Sequence, residues 1–382
     1  MTVTNDIIYV GVKDDLTDLF EGQYRIPDGI SYNSYLIIDD RIAVMDSVDS
    51  RFSDEWISNI RARLGERAPD YLIVQHMEPD HSSSICYFLD AFPTARLVSS
   101  SKAYTMMRNF FGRDLTDGSI VVSDGDTLSL GTHELRFIAA PMVHWPEVIM
   151  TYDTTDKVLF SADAFGKFGM ADGDEWAEEA RRYYIGIVGK YGAQVQSVLR
   201  KAAALDISII CPLHGPVLSD DLGYYIGLYD KWSSYAVEED GVLIAYTSVY
   251  GNTREAVLLL EDELKKLGAK VKLYDLARSD MSEAVADAFR YSNTVLATTT
   301  YNSDIFPFMR EFINHLTERG FRNRTVSFID NGSWAPMAEK VMRGMLERSQ
   351  NVTYTDSSVK ILSSLTDLNK EQIKSLAREI CK

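Results

Sequence analysis

Apolar positions in roughly the first 165 residues fall in short runs of β type, among them YNSYLIID, RIAVMD, YLIVQ, ARLVSS, SIVVSD, LRFIAA, VIMTYD and KVLFSAD, broken by Gly, Asp and Pro turns. Helical spacing intervenes less often. It predicts helices over 54–64, 84–91 and 101–111, then long helices over 176–205 ahead of another apolar strand in ISIICPLH. This is an α+β layout in which helices cover sheets. The rhythm changes after Tyr235, where AVEEDG reads as a short acidic linker and strands then alternate with helices. Strands are predicted at 242–247, 271–274, 294–299, 325–329 and near Val359, and helices at 253–267, 282–290, 307–319, 335–347 and 369–380. Five βα units in so short a stretch point to a doubly wound parallel sheet. Two domains are expected, 1–239 and 240–382, with no internal repeat.

Charge divides the chain at the same place. The net charge is −17 over 382 residues, yet residues 241–382 carry 19 Lys and Arg against 18 Asp and Glu, leaving 20 against 38 in residues 1–240. A field of that sign disfavours nucleic acid and anionic membrane as partners. The N-terminus has no basic segment followed by an apolar core, and no apolar run is long enough to span a bilayer, so a soluble, cytoplasmic protein is expected. Cys86, Cys211 and Cys381 are far apart and form no C-x-x-C pair, which argues against a disulfide framework and against a built-in rubredoxin or zinc ribbon. An electron donor of that kind has to be a separate protein. Cys211 reads as a buried strand cysteine.

The candidate chemistry starts at YLIVQHMEPDHSSS, where His76, Glu78, Asp80 and His81 leave an apolar strand within six residues. Alternate positions diverge as a chain leaves a strand, so such a run can serve two adjacent metal ions. His144, Asp163 and His214 each close a later predicted strand, 63, 19 and 51 residues further on in turn. Four of the six histidines therefore stand at equivalent strand ends, while His133, in a G-T-H-E turn, and His315, in an amphipathic helix, read as surface residues.

The second half opens with VLIAYTSVYGNTREA, an apolar strand, a hydroxyl-rich loop and a helix. The hydroxyls of Thr247, Ser248 and Thr253, the side chain of Asn252, and amides around Tyr250 and Gly251 can converge on a phosphate dianion at a helix N-terminus. Two later strand ends, ATTTYNSDIFP and IDNGSWAP, bring Thr300, Tyr301, Asn302, Asn331, Gly332 and Trp334, with Tyr301 and Trp334 suited to an isoalloxazine ring. No G-x-G-x-x-G fingerprint of a dinucleotide site is present.

The first half resembles the metallo-β-lactamase superfamily, whose signature is H-x-H-x-D-H followed by distant His, Asp and His. Here the run is H-x-E-x-D-H, the variant of the flavodiiron proteins, or A-type flavoproteins. A carboxylate in place of an imidazole makes the site harder and more negative, which suits redox-active iron better than zinc. GISYNSYLI, the segment His144 to Glu147, Asp163-Ala164-Phe165-Gly166 and His214-Gly215-Pro216 also match that family. The second half is similar to flavodoxin, although Asp330 to Pro336 is poorer in glycine than the family's third flavin loop.

The resemblance implies an αββα sandwich followed by a flavodoxin-like domain. It implies one iron held by His76, Glu78 and His144, a second by Asp80, His81 and His214, and Asp163 bridging. It further implies FMN, reduction of O2 to water and/or NO to N2O, and a head-to-tail homodimer or dimer of dimers. The donor would be rubredoxin, a reduced deazaflavin coenzyme or a flavin reductase, and an acidic donor would dock over the flavin half, near Arg310 or Arg322. Two readings compete. One is a dizinc metallo-β-lactamase-fold hydrolase with an appended flavodoxin domain, the other a flavin-only electron carrier.

Overall fold

The computed structural model describes residues 1–170 and 176–382. It divides into two compact units, 1–184 with 193–230, and 185–192 with 231–382.

The first unit stacks two sheets. A six-stranded sheet runs in the order Ile7–Tyr9, Tyr35–Ile37, Ala43–Met45, Tyr71–Ile73, Arg96–Ser100, Ile120–Val122, and a five-stranded sheet in the order Thr127–Ser129, Glu134–Ala139, Ile149–Asp153, Val158–Phe160, Ile209–Cys211. Alternate residues of both sheets meet in one core. Tyr35, Ile37, Met45 and Ile73 from one side are buried in the same cluster as Phe137, Ile149, Phe160 and Cys211 from the other. Cys211 is thus the buried strand cysteine its sequence suggested. Helices Ser53–Leu64 and Ser101–Phe111 lie close to the sequence expectation. The second is bounded by Ser100, whose side chain accepts from the Ala103 amide, and by Gly112 in the left-handed region at φ 63°. Over 176–205 the helix is not continuous. Trp176–Tyr183 passes into a wider turn at Tyr184–Val188 and a tight one at Gly189–Tyr191 before Gly192–Ala202.

The second unit is a parallel sheet in the order Val271–Asp275, Glu239–Tyr246, Tyr291–Tyr301, Thr325–Asn331, with Thr353–Tyr354 and Val359–Ile361 sharing the last edge. Numbered along the chain this is 2-1-3-4-5, so the order reverses between the first and third strands, where ligands bind in such sheets. The acidic linker is a correction. Glu239 and Asp240 already belong to the first strand, because Glu239 pairs with Arg290 (2.9 Å) and Lys270 and so enters the sheet neutralised. The last helix, Asp367–Ile380, starts with a reciprocal cap between Thr366 and Asn369.

Candidate metal centre and flavin cavity

Beyond strand Tyr71–Ile73 the chain stays extended through His76 and Glu78, two residues apart and therefore on one side, until Pro79 opens a single helical turn, Pro79–Ser82. That turn swings Asp80 and His81 away from the first pair. Ligand atoms consequently gather in two groups, His76, Glu78, His144 and Asp163 in one, Asp80, His81 and His214 in the other. Asp163 reaches both: Oδ2 lies 3.0 Å from His144 Nε2 and 3.4 Å from His76 Nε2, and Oδ1 lies 3.4 Å from His81 Nε2 and 3.9 Å from His214 Nε2.

Tight loops hold these strand-end residues. Ala162 and Phe165 flank Asp163 at φ 50° and 66°, strained for non-glycine residues, and the Phe165 amide donates to Tyr229 Oη at 2.5 Å. Gly166 has no room for a side chain, since a Cβ would meet the Asp163 carbonyl at 3.0 Å. The Asn33 amide donates to the carbonyls of Pro212 and Gly215, both at 2.8 Å, and so pins the His214 loop.

The donor set fits metal ions. His81 Nε2 and His214 Nε2 face each other at 3.0 Å, while His214 Nδ1 donates to the Ser31 carbonyl at 2.7 Å, so a neutral His214 turns a bare lone pair toward His81. Both oxygens of Asp80 and Oδ1 of Asp163 are buried without a hydrogen-bond donor. Converging lone pairs and unpaired carboxylate oxygens are tolerable only around cations. His76 and His144 are pushed toward their protonated forms. Burial works against charge at His76, yet Asp163, Glu147 and Glu78 keep it well above the usual histidine range, and His144, equally opposed by burial, is pushed up to about 9 by Asp163 and Glu78. Asp163 is held well below the carboxylate range despite its burial, by His76, His144 and His81.

Aromatic surroundings complete the site; Tyr32 and Trp145 fall in segments already singled out in the sequence, whereas Phe20 and Tyr183 do not. Rings of Phe20, Tyr183 and Tyr32 stand 5.4, 5.6 and 6.0 Å from that of His214, and Trp145 lies 5.3 Å from His76. Tyr183 is fully buried and its hydroxyl has no partner among the described residues. Burial and the Asp163, Glu78 and Asp80 carboxylates hold its phenol well above the ordinary range, so Oη keeps its proton. Glu21, an exposed residue at φ 48° on a turn, has its carboxyl pushed up to about 7 by desolvation and by Glu78. Its only sequence signal is an acid in a turn just before GISYNSYLI. His133 is a correction. It is buried and donates from Nδ1 to Asp153 at 3.0 Å. His315 is half-buried beside Arg319.

In the second unit a cavity of about 510 Å³ opens at the carboxyl ends of the strands, within the usual size of small-molecule sites. It is lined by Ser248, Tyr250, Asn252, Thr253, Thr300, Tyr301, Asn302, Asn331, Gly332 and Trp334, and also by Val249, Thr299, Ser303, Ser333, Ala335, Met337 and Ser363. Thr247 does not line it; its hydroxyl is buried in a 2.6 Å bond with Thr298. Gly251 is not among the lining residues either, and serves at φ 96° as the residue before helix Asn252–Lys266. Asn331 ties the loops together, donating to the Ser363 carbonyl at 3.1 Å and to Thr253 Oγ1 at 3.3 Å. Ser248 Oγ accepts from the amides of Gly251 and Arg254, both at 3.2 Å, so loop amides already point where an anion is wanted. Asn302, Ser303, Ala335 and Ser363 all have positive φ, which concentrates backbone strain around this opening.

Residues 30–215 match the family described as ODP family beta lactamase. The anaerobic nitric oxide reductase flavorubredoxin of Salmonella arizonae is 30% identical over 347 residues, covering 87% of this chain and 72% of that protein. The chain belongs to the flavodiiron protein family. Among solved structures, the flavodiiron protein from Giardia intestinalis superposes with a TM-score of 0.92 at 26% identity, over 99% of this chain and 95% of that one. The rubredoxin oxygen:oxidoreductase of the anaerobe Desulfovibrio gigas shares the fold, with a TM-score of 0.92 at 24% identity over 100% and 97% of the two chains. The flavodiiron fold accounts for both units in order, a lactamase-like sandwich and a flavodoxin-like sheet. Among the described residues no helix is long and apolar enough to cross a membrane.

Proposed function

We propose that this chain is an oxidoreductase that passes electrons from an external donor through FMN to a non-haem diiron centre, where dioxygen is reduced to water, nitric oxide to nitrous oxide, or both. The observation that carries the reading is Glu78. It stands where the lactamase signature has histidine, and its carboxylate joins His76, His144 and Asp163 in one buried group. In this reading His76, Glu78 and His144 would hold one iron and Asp80, His81 and His214 the other, with Asp163, whose Oδ2 lies near His144 and Oδ1 near His81, shared between the two groups. Ser248, Asn252 and Thr253 would take the FMN phosphate, and Tyr301 and Trp334, which line the same cavity, would serve the ring. When bound, reduced FMN and two ferrous ions together supply four electrons, enough to carry O2 to two waters, or twice the two needed to couple two NO into N2O and water.

The chain's own residues prepare that chemistry. The rings of Phe20, Tyr32 and Tyr183 give a small neutral gas an apolar approach beside His214 and limit water. Tyr183 Oη, protonated and without a partner among the described residues, is a hydrogen-bond donor held in the field of the Asp163, Glu78 and Asp80 carboxylates. The exposed rings of Tyr250 and Trp334, 93% and 82% accessible, edge the flavin cavity and support a second copy covering it head to tail. An acidic donor would meet the nearly neutral flavin half. Arg310, in the helix that follows the Tyr301 loop and paired with Asp304, would be the residue of that half to meet it. Arg322 is not, because it precedes strand Thr325–Asn331 at the end away from the cavity and stacks on Tyr235 at 4.1 Å. The donor is a separate rubredoxin, a reduced deazaflavin coenzyme or a flavin reductase, and the protein works in the cytoplasm.

The test is metal and flavin quantification followed by anaerobic reduction and parallel O2 and NO consumption. Two irons and one FMN per chain with gas turnover support the reading. Zinc without iron, with hydrolysis of an ester or lactam, would favour the dizinc hydrolase instead.

A further inference from the structure

The two ligand groups are alike in their first layer. Each offers two histidines and one terminal carboxylate, and Asp163 presents one oxygen to either side. The next layer breaks the symmetry. His76 Nδ1 donates to Glu147 Oε1 at 2.9 Å, and the Met77 amide donates to the same oxygen at 2.9 Å. On the other side, His214 Nδ1 donates to a neutral carbonyl, that of Ser31, at 2.7 Å, and His81 Nδ1 is buried with no partner among the described residues. Glu147 is 2% exposed and its second oxygen has no hydrogen bond. A buried carboxylate with one empty oxygen is costly unless a cation compensates it. Among the described residues the only imidazole it touches is His76, whose other nitrogen faces Glu78 at 3.3 Å and Asp163 at 3.4 Å. Asp46, the other deeply buried acid nearby, accepts from the amides of Gln75 and His76 and bears on His81 as well as His76, so it does not tell the two groups apart.

We propose that Glu147 is a positioning residue that makes the two metal sites unequal: by drawing on the Nδ1 proton of His76 it renders that imidazole the more basic ligand, so the ion on the His76 side is bound more tightly and holds its ferric state at lower potential. A histidine backed by a carboxylate is a stronger donor than one backed by a carbonyl. The inequality gives the pair an order of oxidation, with the His76 side giving up its electron first. This rests on the diiron reading above.

The test uses full-length protein reconstituted with ferrous iron, as wild type and as Glu147→Gln, which keeps the shape and removes the charge. Iron per chain is measured first, and wild type that takes up no iron would remove the diiron reading itself. Given two irons, competition with a chromophoric chelator should show affinity falling about 10- to 100-fold at one site only. A reductive titration followed by electron paramagnetic resonance should show a mixed-valence state in wild type over a window of potential that narrows in the variant. Equal loss at both sites, or no loss with an unchanged window, overturns the assignment. Mössbauer spectra of wild type alone provide a check that needs no variant. Two distinct ferrous doublets are expected, and a single doublet with no mixed-valence state would contradict it.

Discussion

The metal centre and the flavin cavity are built on opposite principles. At the metal centre the side chains are buried, charged and already converged, with His76, His81 and His214 inaccessible and carboxylate oxygens left without donors. At the flavin cavity the lining is hydroxyls, amides and aromatic rings on strand-end loops, much of it exposed. The difference follows from the ligands. Metal ions need lone pairs fixed within tenths of an ångström, which a sandwich core can hold. FMN offers a dianion and a broad ring, which a helix N-terminus and flexible edges can take. Damage to one site should therefore leave the other standing.

His81→Ala is the sharpest way to break that independence. It should abolish O2 and NO reduction while FMN stays bound at one per chain, as read by gas electrodes and flavin absorbance. Ser248→Ala is the mirror experiment. Losing one hydrogen bond to a charged phosphate, worth about 1.5–3 kcal/mol, should weaken FMN about 10- to 100-fold with iron content unchanged, measured by fluorescence titration of the apoprotein. Tyr183→Phe probes the metal side more gently. Turnover with saturating donor should fall about 2- to 10-fold, the worth of one neutral hydrogen bond, and thermal stability should hold or rise because a buried hydroxyl without a partner has been removed.

A further effect, on stability alone, lies outside both sites. Burial opposes charge on His133, but Asp153, Asp156 and Asp39 raise its imidazole above the ordinary 6.5. The sign follows: the fold favours the protonated form, so the pair's contribution is complete below about 6.5 and is lost as pH rises through the raised value. Asp153→Asn should cost about 1–3 kcal/mol at pH 6 and less at pH 9, read from denaturant melts.

What the sequence made legible follows the same contrast. The H-x-E-x-D-H run was readable because its spacing is local, a strand exit followed by one turn, and His144, Asp163 and His214 because each ends an apolar run. Residues brought in by tertiary packing were not. Tyr183 lies at the end of helix Trp176–Tyr183, and only the folded chain puts its ring beside His214. Glu147 was seen as part of a family segment, but its bond to His76 spans 71 residues. His133 looked like a turn residue because Asp153, which buries with it, comes 20 residues later on a neighbouring strand. In the flavin half the strand-end loops announced themselves. Thr247 misled because the strand's last hydroxyl turns into the sheet, toward Thr298, and the cavity begins one residue later. Ser363 went unnoticed, although it follows the final strand Val359–Ile361 and so stands where the rule of strand ends would have placed it.

The central claim, that one chain couples a flavin cavity to a diiron centre for gas reduction, is tested most directly by a single-turnover measurement. Protein with iron and FMN quantified is reduced anaerobically to the four-electron state, then mixed with O2 or with NO. The account predicts flavin reoxidation that keeps pace with loss of the gas, giving water without free peroxide, or N2O at one per two NO. Flavin that reoxidises no faster in the His81→Ala protein than its own slow reaction with O2, alongside wild type that behaves identically, would contradict it.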